Sequence, residues 1–491
     1  NNQPISPYKS FLFQGHVLDE NGNKMSKSKG TVLEASELLE KYPADLIRFY
    51  FMWKASPIEP LNFSTKELMS RPFQVISTLY HLHLFFKQNS EYDKFDISSS
   101  TIQWAKQNKL LTAPDVWLLS KLQRMIQKTT QFNDTCKFHE SAKAIEDFLI
   151  NSLSQIYIPI TKSDLWADDE TKKDRRFTIY AILAETLKMI DILIHPISPF
   201  TSEYLYTTVF GGKENILLEN WPKVNDTLID EKIEESFDLL KEITSISAAA
   251  RMKGKLKRRW PLESALICVE KGQKEILESL PELLKAQINV EKFEVFEIES
   301  KNGLAQLVEL KKLGLPVIPK IELERKGIGP KAKHDMGKLV KLFSETDQND
   351  IVEQLGKAKS YTFNIDSNEI VLNEEDFVIE FDVKPDYQFS NRGNFLVILS
   401  VIRNQEMMAK GLVKDLARRL QTLRKERGYN PTDILNRASI LDLDQESFEL
   451  IKTRMDEISF LVRVKEVNFE ESCKEYKNDD IDGQKIRLSV E

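Results

Sequence analysis

The sequence predicts a multidomain protein: the end of an α/β domain, then an all-α helical bundle, then a mixed α/β C-terminal region. Three observations lead there. An apolar stretch, "YKSFLFQGHVLD" from Tyr8 to Asp19, reads as a strand entering a polar turn. From Ser64 to Ile194, apolar residues recur at steps of three and four in long segments with short polar joints, the pattern of a bundle. Beyond Trp260-Pro261-Leu262, strand-like runs alternate with helical ones. The boundaries fall at 1–62, 63–222, a linking helix and basic segment at 223–262, and 263–491.

Taken in order, "ELLEKYPADLIRFYFMW" (37–53) gives two helical patterns broken at Pro43, because a residue before proline avoids the helical region. "SPIEPLNFS" is a Pro-rich connector. Ser64 and Glu67 stand at capping-box spacing, and Phe73, Ile76, Tyr80 and Leu84 then mark one apolar helical face. Helices are expected over 115–131, 140–158, 174–195 and 233–252, with a linker at 219–226. In the last region "SALICVE", "FVIEFDV" and "FLVILSV" read as strands, and 271–286 and 333–345 as helices. A basic amphipathic helix covers 404–427. A helix at 445–457 and the strand "LVRVKEVNF" close the fold, and no internal repeat is legible.

Composition narrows the function classes. With 41% apolar and 30% charged residues over 491 positions, the chain reads as a soluble globular protein of several domains. No apolar run approaches the roughly 20 residues of a membrane helix. Cys136, Cys268 and Cys473 are too scattered for a disulfide framework or a zinc site, which suits the cytoplasm. A net charge of −7 means that nucleic acid must be held by local basic patches. The chain opens on Asn1 and begins on what reads as the last strand of a domain, so a C-terminal portion of a longer protein is expected.

The polar turn "NGNKMSKSKGT" (21–31) carries the most chemistry. Lys24 and Lys27 are compact cations on flexible stems, Ser26 and Ser28 add hydroxyl donors, and Gly30 frees the backbone. Such a loop can neutralise a triphosphate and stabilise charge on departing pyrophosphate. By spacing alone, a solvated lysine-rich turn would look the same.

Read as a whole, "KMSKS" (24–28) matches the signature of class I aminoacyl-tRNA synthetases unaltered. Its flanks, "GHVLDENGNKMSKSKG" and "KYPADLIRFYF", resemble the isoleucine, valine and leucine members of that class. The resemblance implies that residues 1–62 end a Rossmann-like catalytic domain that takes ATP with Mg2+ as substrate. It makes Lys27 the principal phosphate ligand and Lys24 its helper, both counted as catalytic. Met25 would be a packed hinge, Ser26 and Ser28 further contacts, and the backbone at Gly15 and Val17 would pass the adenine. His16 would serve there through its main chain.

"DVWLLSKLQ" from Asp115, "NSLSQIYI" from Asn151, Leu165-Trp166 and "IHPISPFTSEYLY" from Ile194 resemble the family's anticodon-binding domain. Trp117, Tyr157 and Phe200 are expected to pack that bundle rather than touch RNA. "ARMKGKLKRRWPL" (250–262), "KGIGPKAKHDMGK" (326–338) and "MAKGLVKDLARRLQTLRKERGYN" (408–430) resemble isoleucyl-tRNA synthetases of archaeal and eukaryotic type. The long coiled-coil arm of valine enzymes and the zinc-binding cysteines of many bacterial isoleucine enzymes are not seen. The implied partners are tRNA(Ile), ATP and isoleucine, with no membrane, no zinc site and a monomeric state.

The basic segments also have a direct reading. Six of the nine residues from Arg251 to Arg259 are cationic, and phosphate neutralisation would make binding salt-dependent. The candidate RNA contacts are Arg251, Lys253, Lys255, Lys257, Arg258 and Arg259, then Arg418, Arg419 and Arg424 on the later helix. The bland reading is a solvated face. His81 and His83 offer neither metal spacing nor a carboxylate partner and read as structural.

The family's second signature, His-x-Gly-His, is absent, as are its amino-acid pocket and editing domain, so the isolated chain is expected to form no adenylate. Three other readings are a valyl- or leucyl-tRNA synthetase piece, a non-catalytic RNA-binding module, and a nucleotidyltransferase that shares only a phosphate loop.

Overall fold

The computed structural model describes residues 8, 11–26, 34–165, 170–210, 215–300, 302–366, 368–430, 433–481 and 483–491. The chain forms two compact units, Asn1–Glu234 and Glu235–Glu491.

In the first unit, β1 (Val17–Leu18) pairs in parallel with β2 (Leu61–Asn62). Of the longer strand expected from Tyr8, only Val17–Leu18 is strand among the described residues, and Tyr8, Phe11, Leu12 and Phe13 are exposed. Between them run α1 (Ala35–Lys41) and α2 (Ala44–Lys54), broken at Pro43 with Tyr42 extended at φ −132° and ψ 142°. The capping box does not form at α3 (Thr65–Leu68). Ser64 Oγ donates instead to Glu20, and Glu67 is taken by Lys54 and by the Tyr50 hydroxyl.

The bundle comprises α4 (Arg71–Tyr92), α5 (Ile102–Gln107), α6 (Ala113–Asp134), α7 (Phe138–Asp147), α8 (Ile158–Thr161), α9 (Lys173–Ile194) and α10 (Pro199–Phe210). A π-helical stretch, Phe148–Tyr157, joins α7 to α8 without a break. On α4 the buried row is Val75, Leu79, Leu82 and Phe86, one row round from the expected face, and Phe73 and Tyr80 are exposed.

Buried charges in the bundle are paired, as burial requires. Asp115 is fully buried. It caps α6 through Thr112 N at 2.7 Å, accepts from the Tyr157 hydroxyl at 2.8 Å and pairs with Arg175. Arg176, also fully buried, donates to Asp93 at 2.8 Å, and the Tyr180 hydroxyl reaches the same carboxylate at 2.7 Å. His83 does have a carboxylate partner, against the sequence expectation: its Nε2 lies 2.9 Å from Asp191 Oδ2. That partner comes from α9, 108 positions away, beyond the reach of local spacing.

The second unit takes in most of α11 (Glu231–Lys253). It continues with β3 (Leu262–Val269), α12 (Lys274–Glu278), α13 (Pro281–Ile288) and β4 (Val290–Glu297). An insertion follows: α14 (Gly303–Lys312), β5 (Val317–Leu323), α15 (Arg325–Ala332), α16 (Met336–Glu345), α17 (Gln348–Ala358), β6 (Ser360–Ile365), β7 (Asn368–Asn373) and β8 (Phe377–Val383). β9 (Tyr387–Arg392) and β10 (Phe395–Ser400) complete a sheet of order β4-β3-β10-β9. Then come α18 (Gln405–Glu426), β11 (Leu435–Leu441), α19 (Gln445–Ile451), α20 (Met455–Val462), β12 (Val464–Asn468), β13 (Lys477–Ile481) and β14 (Gln484–Val490), with sheet order β12-β11-β14-β13.

These two sheets correct the expectation of no repeat. Each follows a helix with a strand, two short helices and a parallel neighbour strand, and later adds a hairpin whose second strand flanks the first. The junctions agree in detail. Arg251 at the end of α11 donates to Lys257 O (3.1 Å), Trp260 O (2.9 Å), Ile288 O (2.9 Å) and Asn289 O (2.8 Å). Arg424 near the end of α18 donates to Asn430 O (3.1 Å), Asp433 O (2.7 Å), Val462 O (2.6 Å) and Arg463 O (2.9 Å). Both second short helices end in the left-handed region, at Asn289 (φ 53°) and Arg463 (φ 57°). Both first strands then start on a leucine whose N–H reaches that residue's carbonyl, Leu262 at 3.1 Å and Leu435 at 3.0 Å.

Each arginine is therefore a clamp between a helix end, its loop and the turn before the parallel strand. Burial, helped by Arg403 and Arg258, pushes the Arg251 guanidinium down to about 10. Replacing Arg424 by Met should orphan buried carbonyls and cost about 3 kcal/mol of second-unit stability in urea denaturation. Arg418→Met on the exposed face should cost less than about 0.5 kcal/mol. In the first unit, burial raises the Asp191 carboxyl to about 6 from an unfolded 3.8, so the folded chain holds that proton more tightly. Its contribution is full below pH 3.8 and lost as pH rises through 6, and Asp191→Asn should remove that slope from the stability profile.

Candidate nucleotide and RNA sites

The lysine turn is built by Asp19. Its Oδ1 accepts from Asn21 N at 2.9 Å and Asn23 N at 2.8 Å, a side-chain turn for which Asp is suited. Gly22 supplies the left-handed corner at φ 80°. The chain returns so that Lys24 bridges antiparallel to Leu18. Lys24 is exposed, and Met25 and Ser26 are half-buried. Lys27 and Ser28 lie outside the described residues.

Gly15 has a structural reason to be glycine. Its N–H donates to Pro57 O at 2.8 Å, and a Cβ there would sit 2.1 Å from Glu59 O. Val17 and Met25 line an apolar cavity of about 530 Å³ with Leu38, Phe51, Phe63 and Phe200. Trp117 and Tyr157 are buried in the bundle as expected, but Phe200 is 70% exposed and faces this cavity instead.

The second helix after the lysine turn, α2, is fastened to the bundle by charges the sequence did not reveal. Buried Asp45 on α2 accepts from Thr201 N in the first turn of α10. One turn along, Arg48 donates to Ile197 O at 2.9 Å and Pro196 O at 3.0 Å, just past the end of α9. An anion thus meets a helix N-terminus and a cation meets a C-terminal end, the favourable sense for both dipoles. Trp53, on the same helix, donates to Glu146 of α7.

The basic set divides by burial. Arg251 and Arg424 are enclosed by backbone carbonyls, which removes them as RNA contacts. Arg419 is tied to Asp479 at 3.1 Å and Asp415 at 3.9 Å. Lys257 pairs with Asp415 at 3.3 Å and lies over the Trp260 ring. Lys253 lies over Phe389 and remains exposed, as do Lys255, Arg258, Arg259 and Arg418. The two basic segments converge: burial, then the charge of Arg418, holds the Arg259 guanidinium below its ordinary value, with Arg419 and Arg258 adding to this. Arg403, also over the Trp260 ring at 5.2 Å, belongs to the same neighbourhood and had no sequence signal. Among the described residues no helix is long and apolar enough to cross a membrane, and no group of three or more His, Cys, Asp or Glu could hold a metal.

Known proteins resemble the chain in the same places. Residues 2–64 match the family "tRNA synthetases class I (I, L, M and V)", and 115–266 match "Anticodon-binding domain of tRNA ligase". An isoleucine–tRNA ligase of Clostridium tetani is 26% identical over 99% of this chain and 45% of its own length. One from Methanopyrus kandleri is 25% identical over 99% of this chain and 43% of its own. The chain thus spans less than half the length of these relatives. A solved LeuRS–tRNA–LeuAMS complex of Agrobacterium radiobacter K84 covers 44% of this chain and 24% of its own, at 24% identity and a TM-score of 0.35.

Asp45→Ala should remove the α10 cap and lower first-unit stability by about 1–2 kcal/mol in thermal or urea unfolding. Asp45→Asn, which keeps an acceptor oxygen, should recover most of that loss.

Proposed function

We propose that this chain, which belongs to the class I aminoacyl-tRNA synthetases, is part of an isoleucine–tRNA ligase. The complete enzyme would activate isoleucine with Mg-ATP, release pyrophosphate, and transfer the acyl group to tRNA(Ile). The carrying observation is the likeness to isoleucine–tRNA ligases along nearly the whole chain, together with an unaltered KMSKS sequence whose first three residues follow the Asp19 turn.

In this reading residues 1–62 close a Rossmann-like catalytic domain. Residues 63–222 form the anticodon-binding domain, 223–262 a linking helix and basic segment, and 263–491 a tRNA-binding α/β region. Lys24 and Lys27 neutralise the ATP phosphates, with Met25 as a packed hinge and Ser26 and Ser28 as hydroxyl contacts. Gly15 and Val17 lead the backbone past the adenine. The chemistry needs no covalent nucleophile: positioning, and charge placed where pyrophosphate departs, lower the barrier. Exposed Lys24 supports this role, because a lysine committed to an internal ion pair would have less charge to offer. The enzyme is read as a cytoplasmic monomer without zinc.

In the complete ligase, Lys27→Ala should slow adenylate formation by about tenfold or more, the scale of one lost transition-state charge contact. Unchanged ATP–pyrophosphate exchange would overturn the assignment. Charging of tRNA(Val) or tRNA(Leu) in place of tRNA(Ile) would move the chain to a sister enzyme.

A further inference from the structure

The two repeats meet at a cluster of charges that is unbalanced. Trp260, at the end of the first repeat's clamp loop, lies against Gly411 of α18, where a Cβ would come within 2.6 Å of the ring. Glycine at that position lets the second repeat's leading helix seat on the first repeat's loop. Around this contact stand six cations: Lys257, Arg258, Arg259, Arg403, Arg418 and Arg419. Two carboxylates answer them, Asp415 and Asp479, and both are engaged, by Lys257 and Arg419. Arg258, Arg259 and Arg418 are exposed and have no ion-pair partner among the described residues.

Like charges held this close repel one another, and a chain of net charge −7 does not lack acidic residues with which to neutralise them. A fold that leaves three guanidiniums unpaired there gains when a polyanion arrives and its counterions are released. Guanidinium forks match phosphate oxygens in pairs, which suits a nucleic-acid backbone and does not read base sequence. We propose that Arg258 and Arg259 from the first repeat and Arg418 from the second form one composite site for the phosphodiester backbone of a folded RNA. Lys257 and Arg419 hold it in place through Asp415. Neither repeat carries the site alone. That the RNA is a tRNA rests on the ligase reading; the affinity for phosphates does not.

The test is equilibrium binding of the whole 491-residue chain to a tRNA transcript bearing an isoleucine anticodon, across a salt series. The triple variant R258Q/R259Q/R418Q should bind at least about tenfold more weakly at physiological salt, and its log K against log [salt] slope should be smaller by roughly 2–3. R258Q/R259Q and R418Q should each take part of that change, as one site fed by both repeats requires. A charge-matched control, K271Q/K320Q/K338Q, should leave the slope nearly unchanged. Circular dichroism melts of all variants should coincide, since the replaced side chains are exposed. Equal slopes for parent and triple variant would overturn the site. So would an equal effect of the control, an effect confined to one repeat, or an effect seen on phosphatidylserine vesicles but not on RNA. If the slope change stands while the complete ligase fails to charge tRNA(Ile), the ligase reading falls and this one survives. If charging stands without the slope change, the reverse holds.

Discussion

A guanidinium buried at the end of a helix, with backbone carbonyl oxygens as its hydrogen-bond partners, sets the geometry of the second unit. Arg251 and Arg424 each satisfy four backbone acceptors that would otherwise be orphaned where a helix ends, a loop turns and a left-handed residue starts a strand. No carboxylate balances either charge in these contacts, so the planar fork of five donors does what a lysine could not. Because the clamp fixes the loop after each helix, it also fixes where that loop's other side chains point. The exposed arginines of the first loop owe their placement to the buried one that precedes them.

The first unit uses charge differently. Its buried carboxylates sit between helices and bind several partners each: Asp115 joins α6, the π-helical stretch and α9, and Asp93 joins α4 to α9. Removing one partner from such a network leaves a buried charge unpaired, so the helices are locked in register as a set. Asp45 and Arg48 extend this to α2. Ile47, Arg48 and Phe51 of that helix line the same cavity as Met25, so one wall of the cavity is part of the bundle's own wiring. The joint adds helix-end dipoles to the apolar packing of Leu46, Phe49 and Tyr50.

What could be read from the sequence was local, and what could not was mostly distant. The break at Pro43, the long bundle helices and the strand "FVIEFDV" follow from proline geometry and apolar periodicity. The burial of Arg251 could not be read, since it is one cation among six in nine residues and only the tertiary fold singles it out. The α4 face was displaced because Phe73 and Tyr80 look like core residues, yet the packed row is the one with His83 and Leu79. The lysine turn was legible as a motif. The basic segments were legible only as composition, and the convergence of Arg259 and Arg418 required two segments far apart in the chain to be folded together.

The repeat leaves little trace in the sequence because its two first strands agree mainly on one side. Aligned from Leu262 and Leu435, Ala265 matches Ala438 and Ile267 matches Ile440, but Ser264 faces Arg437 and Leu266 faces Ser439. In the first sheet the divergent side is apolar. Cys268, Leu396 and Ile398 share one core with Leu304, Leu307 and Val317 of the insertion, and Leu266 packs against it. In the second sheet Ser439 enters a polar network with Asn468 and Ser472. The insertion is thus a lining for one sheet and not an appendage to it. A chain shortened to the length of the second repeat would present a bare greasy surface to water, and would pay for its economy in aggregation.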